Sequence, residues 1–128
     1  MNNTDGQVPG HKRWVVADGY IPPDSTGSTR PLVSHDAICI LNCANKDAHI
    51  TVTVFFSNRD PAGPYSFNVS AMRTKHVRFN ELSDPEPIPH GTDYASVIES
   101  DIPVIVQHTR LDSRQAALAL MTTIAYPA

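Results

Sequence analysis

The sequence predicts an all-β protein, a single-domain antiparallel β-sandwich of about eight strands. Three observations predict it. Apolar and polar residues alternate at period two in several short runs, most strictly at Ile50, Val52, Val54 and Phe56. These runs recur at roughly ten-residue spacing, as in sandwiches and barrels. The stretches between them hold most of the 11 prolines and most of the 6 glycines, residues that end strands and build turns. A chain of 128 residues buries enough surface for one core without disulfides or metal. No internal repeat or low-complexity tract divides it.

In chain order, residues 1–11 are polar, carry Gly6, Pro9 and Gly10, and read as a flexible leader that includes His11; the domain is expected over 12–128. Residues 12–18, with Trp14, Val15 and Val16, read as a first strand, ended by Gly19 and the Pro22-Pro23 pair. A long polar loop follows over 21–31. Residues 35–42 alternate around Ile38 and Ile40, and after a turn at 45–47 the run 50–56 looks like their hairpin partner. The other face of that run, Thr51, Thr53 and Phe55, suits a solvated or subunit-facing surface. After the turn at 60–64, strands are expected at 65–69 and 73–79. Residues 82–91, with Pro85, Pro87 and Pro89, read as an extended surface loop. Two further strands, 94–99 and 104–111, are separated by 100–103. One short helical turn is expected near 112–117 with Asp112 as its N-cap, before a last strand over 118–126 whose Ala- and Leu-rich start could equally extend the helix.

The net charge of −3 gives no overall attraction to nucleic acid or to an anionic membrane. No apolar run approaches the ~20 residues of a membrane helix, and the first residues lack the pattern of a secretion signal. A soluble, cytoplasmic protein is expected. Cys39 and Cys43, four apart in a strand-like run, would stand roughly 13 Å from each other, too far to bridge. Their spacing also lacks the second ligand pair of a zinc site. The chain has no glycine-rich phosphate loop, nucleophile elbow or HExxH motif. No cofactor, metal or catalytic residue is assigned.

One motif occurs twice. Lys75-His76-Val77-Arg78 and Gln107-His108-Thr109-Arg110 each put a histidine two residues before an arginine inside a strand-like run. Each His and its Arg therefore share a face, roughly 6.6 Å apart. Such a platform offers donors to hydroxyls, carboxylates or phosphates, and the imidazole changes charge near neutral pH. If the two motifs lie on neighbouring strands or meet across a subunit boundary, His76, Arg78, Gln107, His108 and Arg110 converge on one polar hollow. The plain alternative is a solvated face balanced by Glu81, Asp84 or Asp112. His35 is a further ligand candidate; Asp36, its neighbour, points to the opposite face, so the two make no dyad by themselves. Trp14 is either core or a platform on which a sugar ring packs. Tyr20 and Tyr65 sit beside turns, where exposed aromatics could line a mouth or an interface. His49 and His90 read as surface residues.

Longer runs carry a family resemblance. Gly19-Tyr20-Ile21-Pro22-Pro23, Ser34-His35-Asp36, Gly63-Pro64-Tyr65, Arg73-Thr74-Lys75-His76-Val77-Arg78-Phe79-Asn80 and Val106-Gln107-His108-Thr109-Arg110-Leu111-Asp112-Ser113-Arg114-Gln115 closely resemble the Anabaena sensory rhodopsin transducer family. The resemblance spans roughly residues 14–126. It implies a compact β-sandwich, a homotetramer, and a soluble protein that in one setting receives the signal of a microbial rhodopsin. It also implies a wider superfamily of small-molecule binders, with sugars or related metabolites as ligands. Asp36 departs from the longer Glu expected there, and the leader before His11 is extended.

Three functions compete. A non-enzymatic, small-molecule-binding signal relay, with ligand contacts from His35, His76, Arg78, Gln107, His108, Arg110 and Trp14, ranks first. A protein- or DNA-interaction module would use Arg73, Lys75 and Arg78 as a basic strip; so few cations neutralise few phosphates, so DNA affinity would be weak and salt-sensitive. A metal-dependent hydrolase built on the histidines ranks last, because a guanidinium beside each imidazole disfavours a bound cation.

Overall fold

The computed structural model describes residues 8–128, and residues 1–7, most of the expected leader, lie outside it. Among the described residues, eight strands form: β1 (His11–Gly19), β2 (His35–Asn42), β3 (Ala48–Phe56), β4 (Ala62–Val69), β5 (Arg73–Arg78), β6 (Tyr94–Asp112), β7 (Ala119–Ile124) and β8 (Tyr126–Pro127). Single 3-10 turns form at Arg30–Leu32 and Phe79–Glu81. All pairings are antiparallel. One sheet runs β4-β3-β6-β1-β8, and the other runs β5-β2-β6-β7. The all-β sandwich is as expected from the period-two runs.

Strand β6 belongs to both sheets. Over its first half it lies between β1 and β3, and from Gln107 to Leu111 it lies between β2 and β7. The two strands expected at 94–99 and 104–111 are thus one strand of 19 residues. The register explains why the sequence looks broken. Arg13 pairs with Glu99 but His11 pairs with Val104, so β6 bulges over the stretch that holds Pro103. A bulge tolerates the missing N–H of proline, and it re-aims the strand from one sheet into the next.

The expected hairpin between 35–42 and 50–56 does not form: β2 pairs with β5 and β6, whereas β3 pairs with β4 and β6. The short connection is a corner between sheets, and Asn42 builds it. This buried side chain donates to the carbonyls of Lys46 (2.9 Å), Val69 (3.1 Å) and Ser70 (3.3 Å) and accepts from the Ala44 N–H (2.9 Å). It satisfies backbone groups that a hairpin ladder would otherwise pair.

No helical turn forms at 112–117. The Asp112 carboxylate accepts from the Arg114 N–H at 3.1 Å, a cap without a helix behind it. Ser113 is pinned instead: its hydroxyl donates to the Leu32 carbonyl (2.6 Å) and its N–H to Ser34 Oγ (2.9 Å). The chain then reverses into β7. His11 opens β1, where its carbonyl accepts from Trp14 Nε1 at 3.0 Å.

The core lies between the sheets. Ile38, Ile40, Val52, Val54, Ile98, Val104 and Val106 are fully buried, each contributing roughly 1.5–3 kcal/mol by removal from water. Trp14 joins them, 4% exposed, and its indole also donates to the Val104 carbonyl at 2.9 Å. Tyr65, read from the sequence as a lining of a mouth or an interface, is buried too, its hydroxyl donating to the Glu86 carbonyl at 2.7 Å. That bond and the buried Ile88 anchor the proline-rich loop, which is otherwise extended surface chain. Cys39 and Cys43 are free thiols.

Candidate functional site

Strand β2, between β5 and β6, sorts the candidate residues. Its even positions Asp36, Ile38, Ile40 and Asn42 face the core and are fully buried. Its odd positions therefore face outward. Cys39 pairs with His76 on one side and Gln107 on the other, and Ala37 pairs with Arg78 and Thr109. Ile38 pairs with His108, and Asp36 with Arg110. The two His-x-Arg motifs thus stand back to back. His76, Arg78 and Gln107 lie on the outer face, and His108 and Arg110 lie on the inner one. They do not converge within one subunit, because β2 separates their strands and the register offsets them by one residue. The basic strip is divided likewise: Arg73 and Lys75 alternate with Arg78 and so face away from it.

On the outer face a hollow of about 260 Å³ opens between the 30–32 turn, β2, β5 and β6. Two guanidiniums, Arg30 and Arg78, and two imidazoles, His35 and His76, line it together with Ala37, Cys39 and Thr109. This is the predicted group composition, but His35 and Arg30 stand where His108 and Arg110 were expected. Sequence reasoning missed Arg30 because it sits in the polar loop on a single 3-10 turn, where no periodicity assigns a face. Arg30 binds Glu81 through two bonds, Nη2 to Oε1 at 3.0 Å and Nε to Oε2 at 3.2 Å. Its carbonyl accepts from Arg78 Nη1 at 2.9 Å, which fixes the second guanidinium beside the first.

His35 is oriented by the Val33 carbonyl, 2.8 Å from its Nδ1. A carbonyl only accepts, so Nδ1 carries the proton, and Nε2 of the neutral ring is left as an acceptor. Burial, together with the charges of Arg78 and Arg30, lowers the His35 pKa from its ordinary 6.5. Bonding to Arg30 holds the Glu81 carboxyl below its usual value. A shallower groove of about 600 Å³ adjoins the hollow and shares Cys39, His76 and Thr109 with it. Thr74, Gln107 and Thr122 give the groove hydroxyls and an amide, while Leu41, Ile105 and Leu120 give it apolar area.

The inner motif serves a buried carboxylate. Asp36 accepts from the Tyr20 N–H (2.9 Å), from the Tyr94 hydroxyl and from His108 Nε2 (2.5 Å). Arg110 Nε stands 3.5 Å from Asp36 Oδ1, and its Nη2 donates to the Asp18 carbonyl at 2.8 Å. Burial first, then the Asp36 charge, pushes the Tyr94 phenol far above its ordinary value. His108 also borders a second cavity of about 320 Å³ between β1 and β7. Trp14, in the core, lines neither the hollow nor the groove. Among the described residues, no three His, Cys, Asp or Glu side chains are grouped so as to hold a metal ion. No described helix is long and apolar enough to cross a membrane.

Comparison with known proteins adds a family. A sequence model described as Anabaena sensory rhodopsin transducer matches residues 9–127. Among solved structures, the chain is similar to an Anabaena sensory rhodopsin transducer at 51% identity and a TM-score of 0.71, covering 79% of this chain and 98% of that one. It is also similar to Thermotoga maritima 1070 at 35% identity and a TM-score of 0.82, covering 94% of this chain and 97% of that one. None of the curated proteins compared with the chain matches it.

Proposed function

The chain belongs to the Anabaena sensory rhodopsin transducer family, and from that premise we propose that it is a non-enzymatic relay that binds a small, oxygen-rich molecule in the outer hollow of β2 and β5. The observation that carries this reading is the convergence of Arg30, His35, His76 and Arg78 on one concave surface. Guanidinium forks bind oxygen-rich groups in pairs, and imidazole donates or accepts according to tautomer, so the hollow can orient a polyhydroxylated metabolite such as a sugar. The family is one of transducers rather than of enzymes, which fits a site that offers hydrogen bonds and no activated nucleophile.

The relay acts on a microbial rhodopsin or another signalling protein in the cytoplasm, and it works as a homotetramer. Strand β7 supports assembly, because Ile124, which does not line the groove, stands 59% exposed at a sheet edge. An apolar sheet edge can pair with another chain. A thermal-shift screen of sugars, nucleotides and carboxylates tests the binding function. A compound that binds the native state alone raises the unfolding midpoint, and the rise should vanish in Arg78→Ala. A screen without any midpoint shift, or a shift unchanged in that variant, contradicts the assignment of the site.

A further inference from the structure

We propose that the outer hollow selects small organic anions, with a phosphate or carboxylate group seated between Arg78 and Arg30 and the uncharged body lying over Cys39 and Thr109 into the adjoining groove. This rests on the binding function proposed above and narrows its ligand from oxygen-rich molecules in general to those that carry a negative charge.

The charge balance of the site argues for it. Two guanidiniums face the hollow, and the nearest carboxylate, Glu81, is committed to Arg30 through both of its oxygens. Arg78 has no carboxylate partner among the described residues; its fork is held by the Arg30 carbonyl through Nη1 alone. One guanidinium charge therefore remains uncompensated in a partly enclosed space, where an anion replaces water with paired donors. Stacking offers a neutral sugar little in exchange. No Trp, Tyr or Phe lines the hollow, and the lone Trp of the chain is in the core. Affinity must come from charge and hydrogen bonds.

His35 lies in the same field. Arg78 on β5 and Arg30 on the 3-10 turn both disfavour its imidazolium, adding to burial; Asp36, its neighbour on the opposite face, favours it weakly. Glu81 faces it from the 79–81 turn, and His76 lines the same hollow from β5. The residue of β6 paired with it is the uncharged Leu111. An anion seated between Arg78 and Arg30 offsets the charges that disfavour the His35 imidazolium, so binding of an anion whose own charge is constant takes up protons and tightens as pH falls from 8 to 6.

The hollow and the groove share Cys39, His76 and Thr109, so a ligand longer than its anionic group has a continuous path. Thr74, Gln107 and Thr122 along that path supply hydroxyl and amide groups. A sugar phosphate or a sugar acid fits both parts.

The test uses the full chain at low ionic strength with glucose 6-phosphate, gluconate, glucose and inorganic phosphate, read by the imidazole resonances of His35 and by thermal shift. The expected result is saturable movement of His35 with glucose 6-phosphate or gluconate, at least roughly tenfold tighter than with glucose, and for gluconate, whose charge is constant over the range, tighter at pH 6 than at pH 8. Glucose 6-phosphate against gluconate tells phosphate from carboxylate, and inorganic phosphate shows what the anionic group achieves alone. Arg78→Gln and, separately, Arg30→Gln should each weaken binding, with folding verified by circular dichroism. Glucose binding as tightly as glucose 6-phosphate, with His35 moving, overturns the charge requirement and leaves the small-molecule site standing. His35 unmoved by all four compounds overturns this proposal; if thermal-screen hits also leave His35 unmoved, the site itself falls with it.

Discussion

The Asp36 carboxylate lies 2.5 Å from His108 Nε2, and neither side chain reaches the surface. Three donors converge on that carboxylate, from Tyr20, Tyr94 and His108, with the Arg110 guanidinium close behind. A buried charge with this many donors is satisfied, but each donor depends on it in turn. Asp36 ties β2 to the start of β6, to its far half and to the chain after β1, and so locks the two sheets at one end.

Removing that acceptor strands a buried imidazole, a phenol and a backbone N–H at once. Asp36→Ala should cost about 3–5 kcal/mol, the range for breaking a buried pair from one side. Tyr94→Phe removes one hydrogen bond to a charged group and should cost about 1.5–3 kcal/mol. Urea unfolding of the three proteins decides it. Equal midpoints for Asp36→Ala and the parent would show that the cluster adds nothing to stability.

The pH dependence of stability should fall into two windows. The folded-state pKa of His35 lies below 6.5, so the unfolded chain takes up its proton first and stability declines as pH drops below about 6.5. Glu81, held low by Arg30, contributes stability that is present above about 4.5 and is lost as pH falls through its depressed folded value. In His35→Gln the upper window should vanish while the lower one remains. Thermal midpoints from pH 8 to pH 3 in both proteins measure this, and an unchanged upper slope in the variant would assign it to another group.

How far the site was legible in the sequence follows from where each residue sits relative to a periodic run. The face of each His-x-Arg pair could be read, because alternation within one strand is a local property. Their placement on opposite sides of the sheet could not, since it depends on the register of β5 and β6 against β2, set by long-range pairing. His35 and Asp36 fall on opposite faces, as adjacency requires. Arg30 had no periodicity to betray it. The hairpin expected between β2 and β3 failed for a related reason: two amphipathic strands joined by a short turn look alike whether they pair or pack face to face. The burial of Asn42 distinguishes the cases, and one polar residue at the end of a run carries no such signal by itself.

Assembly should depend on β7 rather than on the Thr51, Thr53, Phe55 face. Ile124 is 59% exposed and contributes nothing to the core of one subunit, so Ile124→Asp should leave the fold intact while placing a charge in an apolar contact. Light scattering should report about four times 14.0 kDa for the parent and a smaller species for the variant. A variant that remains tetrameric would move the interface elsewhere, and a monomeric parent would remove it.

Arg78 and Arg110 occupy the same position in the repeated motif, and the structure predicts that they behave differently. Arg78 faces the outer hollow, where its guanidinium has no carboxylate partner among the described residues. Arg78→Ala should weaken binding of the tightest screen compound by about 1.5–3 kcal/mol, roughly ten- to hundredfold, with little effect on stability. Arg110 faces inward, toward Asp36 and the Asp18 carbonyl, and over the Tyr20 ring at 5.9 Å. Arg110→Ala should spare affinity at the hollow and instead lower stability by about 1–3 kcal/mol, because it takes the guanidinium charge away from the buried Asp36 carboxylate. Calorimetry on both variants, alongside urea unfolding, separates the two effects. If Arg110→Ala weakened binding as much as Arg78→Ala with its stability intact, the ligand would contact the inner face, and the back-to-back division of the two motifs would not describe the site.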